Sequence, residues 1–255
     1  MEYGLIGEKL GHSYSKQIHE RLADYQYELT PLTREEFPIF MEQKNFKAIN
    51  VTIPYKRDVI PYLSALDPLA EKIGAVNTIV NRNGALTGYN TDYYGFLYLL
   101  RENGIAVTGK KVLVLGNGGV AQPVLVALAE LKASEVITVK YKSEPGVLTY
   151  AEAAQLHPDA QVIINTSPVG MYPNVDATPI DLTPYTALEA AVDMIANPVS
   201  TRFVQEASAK GAKAVGGLAM LVAQAKYAAE FFLDKKMDDA VIAPIYEDIL
   251  AMMEK

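Results

Sequence analysis

The stretch GKKVLVLGNGGVAQPVLVALAELKASEVITVKY, residues 109–141, runs from an apolar segment into a glycine cluster, then a helical pattern, then a second apolar segment. Gly116, Gly118 and Ala121 form a G-x-G-x-x-[GA] pattern directly after the first apolar segment. Gly116 permits a tight turn there, and Gly118 lets backbone N–H groups approach a pyrophosphate. The N-terminus of the following helix adds partial positive charge. The pattern is informative only between a strand and a helix. Both are present, so the stretch reads as a dinucleotide-binding unit in preference to a plain tight turn.

The end of the next strand indicates which dinucleotide. NAD binders place a carboxylate there for the ribose hydroxyls, whereas NADP binders place basic groups for the 2′-phosphate. EVITVKYK, 135–142, ends on Lys140 and Lys142 with no carboxylate in the strand end. That favours NADP, with NAD the lesser option. The alternative is that both lysines are ordinary solvated charges.

On both sides of this unit, short apolar runs alternate with helical patterns, the mark of an α/β chain with mostly parallel sheets. Before it come strands at YGLIG (3–7), QYELTPL (26–32) and 47–53, with helices at SKQIHERLADY (15–25) and TREEFPIFMEQKN (33–45). Thr33 and Glu36 have capping-box spacing. Residues 75–90 read as a hairpin, because Asn83-Gly84 suits a turn of positive φ. TDYYGFLYLLRENG (91–104) is helical, with Gly104 as its C-cap. The texture changes near 101–109, which marks a domain boundary. Further on, AQVIINTSP, AAVDMIANP and AKAVGG read as buried strands with the helix TRFVQEASAKG before the last. A long helix begins near Leu218, and an amphipathic one ends the chain.

At 255 residues the chain can bury enough surface to fold without staples, and with no Cys none can form. The start MEYGLIGEKLGHS lacks the basic-then-apolar pattern of a signal peptide, and no apolar run approaches the roughly 20 residues needed to span a bilayer. A soluble, cytoplasmic protein is the expectation. The formal charge of −7 argues against nucleic acid or an anionic membrane as the main partner. A small molecule drawn in by local groups is expected instead.

Polar residues in the first half are candidates for holding it. INVTIPYKRD (49–58) reads as a half-buried strand with Ile49, Val51 and Ile53 on one face, stopped by Pro54 and followed by Lys56. Lys56 is then a solvated charge or a working group. Ser13 and Ser15, Thr52, Asn77 and Asp92 complete the set. Hydroxyls, an amide, a lysine and a carboxylate suit a polyhydroxylated, carboxylated small molecule. A Lys/Asp pair can move the proton that accompanies hydride transfer to a carbonyl. Each residue also has a structural reading: the serines as caps of the first helix, Asn77 in a turn, and Thr91 or Asp92 as a cap of the helix that follows. His12, His19 and His157 lack metal-ligand spacing and read as structural or surface residues; no metal is expected.

In order along the chain, GLIGEKLGHSYSKQIH, NVTIPYK, IGAVNT, GYNTDYYGF, VLGNGGVA, INTSPVGM, DMIANP and GGLAMLVAQA together resemble the shikimate dehydrogenase family over nearly the whole length. The resemblance implies an N-terminal α/β catalytic domain (1–101), a Rossmann-type doubly wound NADP-binding domain (102–235) and a C-terminal helix (236–255) returning to the first domain. It implies Lys56 and Asp92 as the catalytic pair, and Ser13, Ser15, Thr52, Asn77 and Gln224 around the substrate, with the two serines on its carboxylate. It implies Gly116, Gly118 and Gly119 at the cofactor's pyrophosphate; Lys140 and Lys142, taken from the strand end above, and Gly217 complete the candidate cofactor set. The implied reaction is NADPH-dependent reduction of 3-dehydroshikimate to shikimate, a step of chorismate and aromatic amino-acid biosynthesis, in a monomer or homodimer.

The chain departs from the family pattern in three places. KYK at 140–142 replaces N-R-T, and lysines lack the bidentate fork of arginine. SEPGVLTYAEAAQL is shorter than the helix-bearing connection expected, and Gln122-Pro123 replaces a basic-small pair. Ala196 stands where the family has Tyr. These departures make the cofactor domain look eroded. They also keep two other readings open: a paralogue acting on quinate or an aminoshikimate, and a shikimate-binding protein with a degenerate cofactor site.

Overall fold

The computed structural model describes residues 1–11, 13–142 and 144–254; His12 lies outside them. In chain order the strands are β1 (Tyr3–Gly7), β2 (Tyr27–Pro31), β3 (Ala48–Val51), β4 (Ala65–Leu66), β5 (Thr78–Arg82), β6 (Ala85–Tyr89), β7 (Lys111–Leu115), β8 (Glu135–Lys140), β9 (Leu148–Thr149), β10 (Val162–Asn165), β11 (Ala190–Asp193) and β12 (Lys213–Val215). The helices are α1 (Ser15–Leu22), α2 (Glu36–Gln43), α3 (Pro68–Ile73), α4 (Asp92–Glu102), α5 (Ala121–Glu130), α6 (Tyr150–Leu156), α7 (Arg202–Ala209), α8 (Leu218–Leu233) and α9 (Ile242–Met253). Among the described residues no helix is long and apolar enough to cross a membrane.

The chain divides into two compact units, residues 1–95 with 221–251, and residues 96–220 with 252–255. The boundaries expected at 101/102 and 235/236 differ from these, because the division falls inside α4 and α8. The reason is visible in the α8 side chains: Ala228 and Phe232 share one apolar cluster with Leu5, Tyr27, Ala48 and Val80 of the first unit. Sequence texture registers a change of strand and helix pattern, and a continuous helix shows none.

The first unit holds a mixed sheet of order β2-β1-β3-β5-β6-β4. β1 runs parallel to β2 and β3, whereas β5 pairs antiparallel with β3 and with β6. The β5–β6 hairpin turns at Asn83 (φ 54°) and Gly84 (φ 87°), both positive as the Asn-Gly signal requires. The Thr33/Glu36 capping box forms, each side chain accepting from the other's backbone N–H. The half-buried reading of 47–53 is corrected: all of β3 is buried, including Asn50, while Ile53 is 67% exposed. β1 and β5 pair with the two edges of β3, and its two faces are buried in separate apolar clusters, Ala48 in one and Ile49 and Val51 in the other; Ile53 lies past the strand's end.

The second unit is a wholly parallel sheet of order β12-β11-β10-β7-β8-β9. This is the doubly wound order, with its switch point between β7 and β10. The expected erosion of this unit is not seen in its architecture. The short connection after β8 still forms β9 and α6, because Thr149 and Glu152 make a reciprocal capping box that starts the helix. Pro123 sits in the first turn of α5, where the missing N–H has no helical partner to lose.

At the end of β11, Asp193 is fully buried. It accepts from Thr201 Oγ1 (2.6 Å), Asn165 Nδ2 (3.0 Å) and the Ile195 N–H (3.1 Å). Burial pushes its carboxyl up to about 6, against the opposing pull of those three donors. The folded value lies above the unfolded one, so the native state binds the proton more tightly. The stability this adds is complete below the unfolded value and is lost as pH rises to about 6. Denaturant unfolding of wild type and Asp193→Asn between pH 3.5 and 7 should show the wild type losing ~3 kcal/mol relative to the variant. Parallel stability curves would contradict the assignment.

Candidate active site

Strand register gathers the candidate residues of the first unit. β1 and β3 are parallel, so their C-terminal ends, Gly7 and Val51, lie side by side. The loop after β1 carries Ser13 and Ser15; the turn after β3 carries Thr52 and Lys56. β5 is antiparallel to β3 with Asn50 opposite Thr78, so Asn77, just before β5, sits at this same end. Tyr89, the last residue of β6, also pairs with Thr78, which delivers Asn90, Thr91 and Asp92 there. Two parallel ends, one antiparallel start and one hairpin return therefore converge on a single edge of the sheet.

Lys56 is held by its neighbours on the chain. Tyr55 is fully buried, stacks on Phe37 with centroids 4.3 Å apart, and donates its hydroxyl to the Leu32 carbonyl at 2.7 Å. The Val76 N–H donates to the Lys56 carbonyl at 2.8 Å. So fixed, Lys56 Nζ lies 2.6 Å from Asp92 Oδ2, with both side chains about 10% exposed (11% and 10%). The solvated reading of Lys56 is overturned. Asn77 Nδ2 donates to the other oxygen, Asp92 Oδ1, at 3.0 Å, and to Thr91 Oγ1 at 3.0 Å. Gln224, on α8, turns Oε1 toward Asn77 Nδ2 and Thr91 Oγ1, each at 3.4 Å.

Ser13 and Ser15 form a pair of their own. Ser13 Oγ donates to Ser15 Oγ at 3.1 Å and accepts the Ser15 N–H at 3.3 Å, at the opening of α1. Thr52 is tied to the end of β1 by its N–H, which donates to the Ile6 carbonyl at 2.9 Å. His19 is buried within α1, its imidazole pushed down to about 3 by burial. Among the described residues no group of three His, Cys, Asp or Glu could hold a metal ion.

The second unit carries the candidate cofactor residues. Gly116 follows β7 with φ 103°, and a Cβ there would stand 2.9 Å from Thr166 Oγ1, just past β10. It thus occupies the switch point, where only glycine fits both the turn and the neighbouring strand's end. A Cβ on Gly118 would meet nothing within 4 Å, which leaves the backbone after β7 approachable; with Gly119 it leads into α5. A strand, an open glycine turn and a helix start at the switch point of a parallel sheet fit a dinucleotide pyrophosphate.

Two residues of the cofactor set have additional structural roles. Lys140 Nζ lies 2.6 Å from Glu144 Oε1, so one of the two cations expected for a 2′-phosphate already has a counter-ion; Lys142 is exposed. A Cβ on Gly217 would fall 2.5 Å from the Met194 carbonyl oxygen, so this glycine is required by the close passage of the loop after β11. Gln122 Nε2 donates to Asn117 Oδ1 at 3.1 Å across the glycine turn. Ala196 is half-buried in the loop after β11.

Tyr27, Asn50 and Thr78 carried no sequence signal for function, yet they touch this network: Tyr27 donates to Asn50, and Asn50 donates to Thr78 and to the Asn77 carbonyl. Only the polar residue within the apolar run of β3 hinted at it.

The profile of the shikimate dehydrogenase substrate binding domain matches residues 5–79. A shikimate dehydrogenase (NADP(+)) of Clostridium beijerinckii is 38% identical over 261 residues, covering 96% of each chain. The crystal structure of a chorismate mutase/shikimate 5-dehydrogenase fusion protein from Clostridium acetobutylicum superposes with a TM-score of 0.92 at 37% identity, over 99% of this chain and 97% of that one. A shikimate 5-dehydrogenase of Thermus thermophilus in complex with NADP(H) and shikimate gives a TM-score of 0.86 at 28% identity, over 97% and 99%.

Gly116→Ala should destabilise the protein by about 1–3 kcal/mol through forced positive φ and the Thr166 contact. It should also weaken NADPH binding at least tenfold by calorimetry. Unchanged affinity would remove Gly116 from the cofactor site.

Proposed function

The chain belongs to the shikimate dehydrogenase family, and on that premise we propose that Lys56 and Asp92 are its proton-transfer pair and that it interconverts 3-dehydroshikimate and shikimate with NADP(H). It is an oxidoreductase of the NADP-dependent kind. The observation that carries the proposal is the Lys56–Asp92 contact of 2.6 Å, nearly closed to solvent, on the strand-end edge where Asn77 takes the second carboxylate oxygen.

When bound, the nicotinamide cofactor supplies or accepts the hydride at the substrate carbon. The remaining work falls to the chain's own groups. In the direction of ketone reduction, Lys56 Nζ gives a proton to the oxygen at C3 as charge develops there. In alcohol oxidation it takes that proton back. Asp92 Oδ2 orients the lysine and balances its charge, while the Asn77 amide holds Oδ1 so that the carboxylate cannot turn away. Ser13 and Ser15 offer two hydroxyls to the substrate carboxylate, and Thr52, Asn77 and Gln224 offer partners to its hydroxyls. Gly116, Gly118, Gly119 and the start of α5 receive the pyrophosphate. Lys142, with Lys140 in exchange for its Glu144 partner, would hold the 2′-phosphate as point charges, and Gly217 allows the close passage of the loop after β11. The step belongs to aromatic amino-acid biosynthesis, in the cytoplasm.

A matrix of NADP+ and NAD+ against shikimate and quinate should show reduced-nicotinamide absorbance with shikimate and NADP+ as the best pair by kcat/KM. Lys56→Met should lower kcat by about 10²–10⁴ while calorimetry still detects shikimate binding. Silence with both cofactors would sink the reading, and quinate ahead by orders of magnitude would replace the substrate.

A further inference from the structure

Tyr27 opens β2 and is fully buried, with its ring stacked on His19 at 4.0 Å and 7°. Burial raises its phenol well above the usual range and lowers the His19 imidazole, so both rings stay neutral and the Tyr27 O–H stays a donor. That hydroxyl donates to Asn50 Oδ1 at 2.7 Å.

Each step after that is constrained by the one before. Since Asn50 Oδ1 accepts, its Nδ2 must point the other way, and its two protons go to the Asn77 carbonyl and Thr78 Oγ1, both at 3.1 Å. Thr78 Oγ1, having accepted, donates to Asn77 Oδ1 at 3.0 Å. That oxygen also accepts the Thr91 N–H at 2.7 Å, so the Asn77 amide can only turn Nδ2 toward Asp92. A flipped Asn50 would put its oxygen 3.1 Å from the Asn77 carbonyl oxygen, acceptor against acceptor, on the residue that orients Asp92.

We propose that Tyr27 is a positioning residue for the Lys56–Asp92 pair, acting through Asn50, Thr78 and Asn77 to fix which face of the Asn77 amide meets the carboxylate. The inference rests on the reading of Lys56 and Asp92 as the proton-transfer pair. Tyr27 touches neither of them. Its hydroxyl is one end of a directed chain of buried hydrogen bonds, and such chains lose more than one bond's worth of order when a terminal donor is removed.

The test uses the full chain. Tyr27→Phe keeps the ring and its stack and removes only the donor; Thr78→Val removes the middle hydroxyl at constant shape, and Thr78→Ser returns it. With shikimate and NADP+, Tyr27→Phe and Thr78→Val should lower kcat about five- to tenfold, the scale of one to two lost hydrogen bonds, with KM within about twofold. Thr78→Ser should restore most of that loss. In an Asn77→Ala background, Tyr27→Phe should cost nothing further, because the route to Asp92 is already cut. Independently of turnover, the side-chain amide protons of Asn77 should exchange with solvent about tenfold faster in Tyr27→Phe. Wild-type kcat in both Tyr27→Phe and Thr78→Val would overturn the inference, as would a Tyr27→Phe loss that persists fully without Asn77. A wild type with no turnover would defeat the Lys56–Asp92 reading instead. The Asn77 amide would then decide the coupling alone, unchanged exchange overturning it.

Discussion

The antiparallel pairing of β5 with β3, with Asn50 opposite Thr78, is the constraint on which the candidate active site depends. In a purely parallel sheet only strand C-termini would share one edge. Reversing β5 brings the start of that strand, and the return of β6, to the edge where β1 and β3 finish. Lys56 and Asp92, 36 residues apart in sequence, thereby become an ion pair. A slip of one residue in this register would turn Asn50 out of the Tyr27–Asn77 chain and move Asn77 away from Asp92.

Desolvation gives the pair its chemical sharpness. With about a tenth of each side chain exposed, neither group is strongly screened, and breaking one partner strands the other. The surrounding amides and hydroxyls are saturated in a fixed direction, so the carboxylate has one orientation. The cofactor unit relies on different physics: an all-parallel sheet whose switch point needs a residue without Cβ at 116 and presents backbone N–H groups and a helix start. Side-chain charge is sparse there, and Glu144 already occupies Lys140.

Much of this was legible in the sequence, and the limits have physical causes. The Asn83-Gly84 hairpin, the Thr33/Glu36 capping box and the glycine turn after β7 are local signals whose geometry is set within a few residues, and each formed as read. Lys56 and Asp92 were legible as a candidate pair, whereas the closeness and burial of their contact were not, because these depend on strand order and register. The division within α8 is not legible in the sequence, because helix continuity hides a change of packing partner; Phe232 reveals it only through its neighbours. The completeness of the cofactor unit was underestimated, since a two-residue strand and a seven-residue helix after β8 leave little periodicity to detect. Tyr27 looked like an ordinary strand aromatic; its role rests on a single oxygen.

Chemical rescue of Lys56→Ala tests the central claim most directly. Assayed with shikimate and NADP+, the variant should turn over at least a hundredfold more slowly than wild type. Added methylamine should restore part of the rate in a saturable manner, by placing an amine where Nζ is missing beside Asp92. Undiminished turnover in Lys56→Ala without any amine would contradict the account.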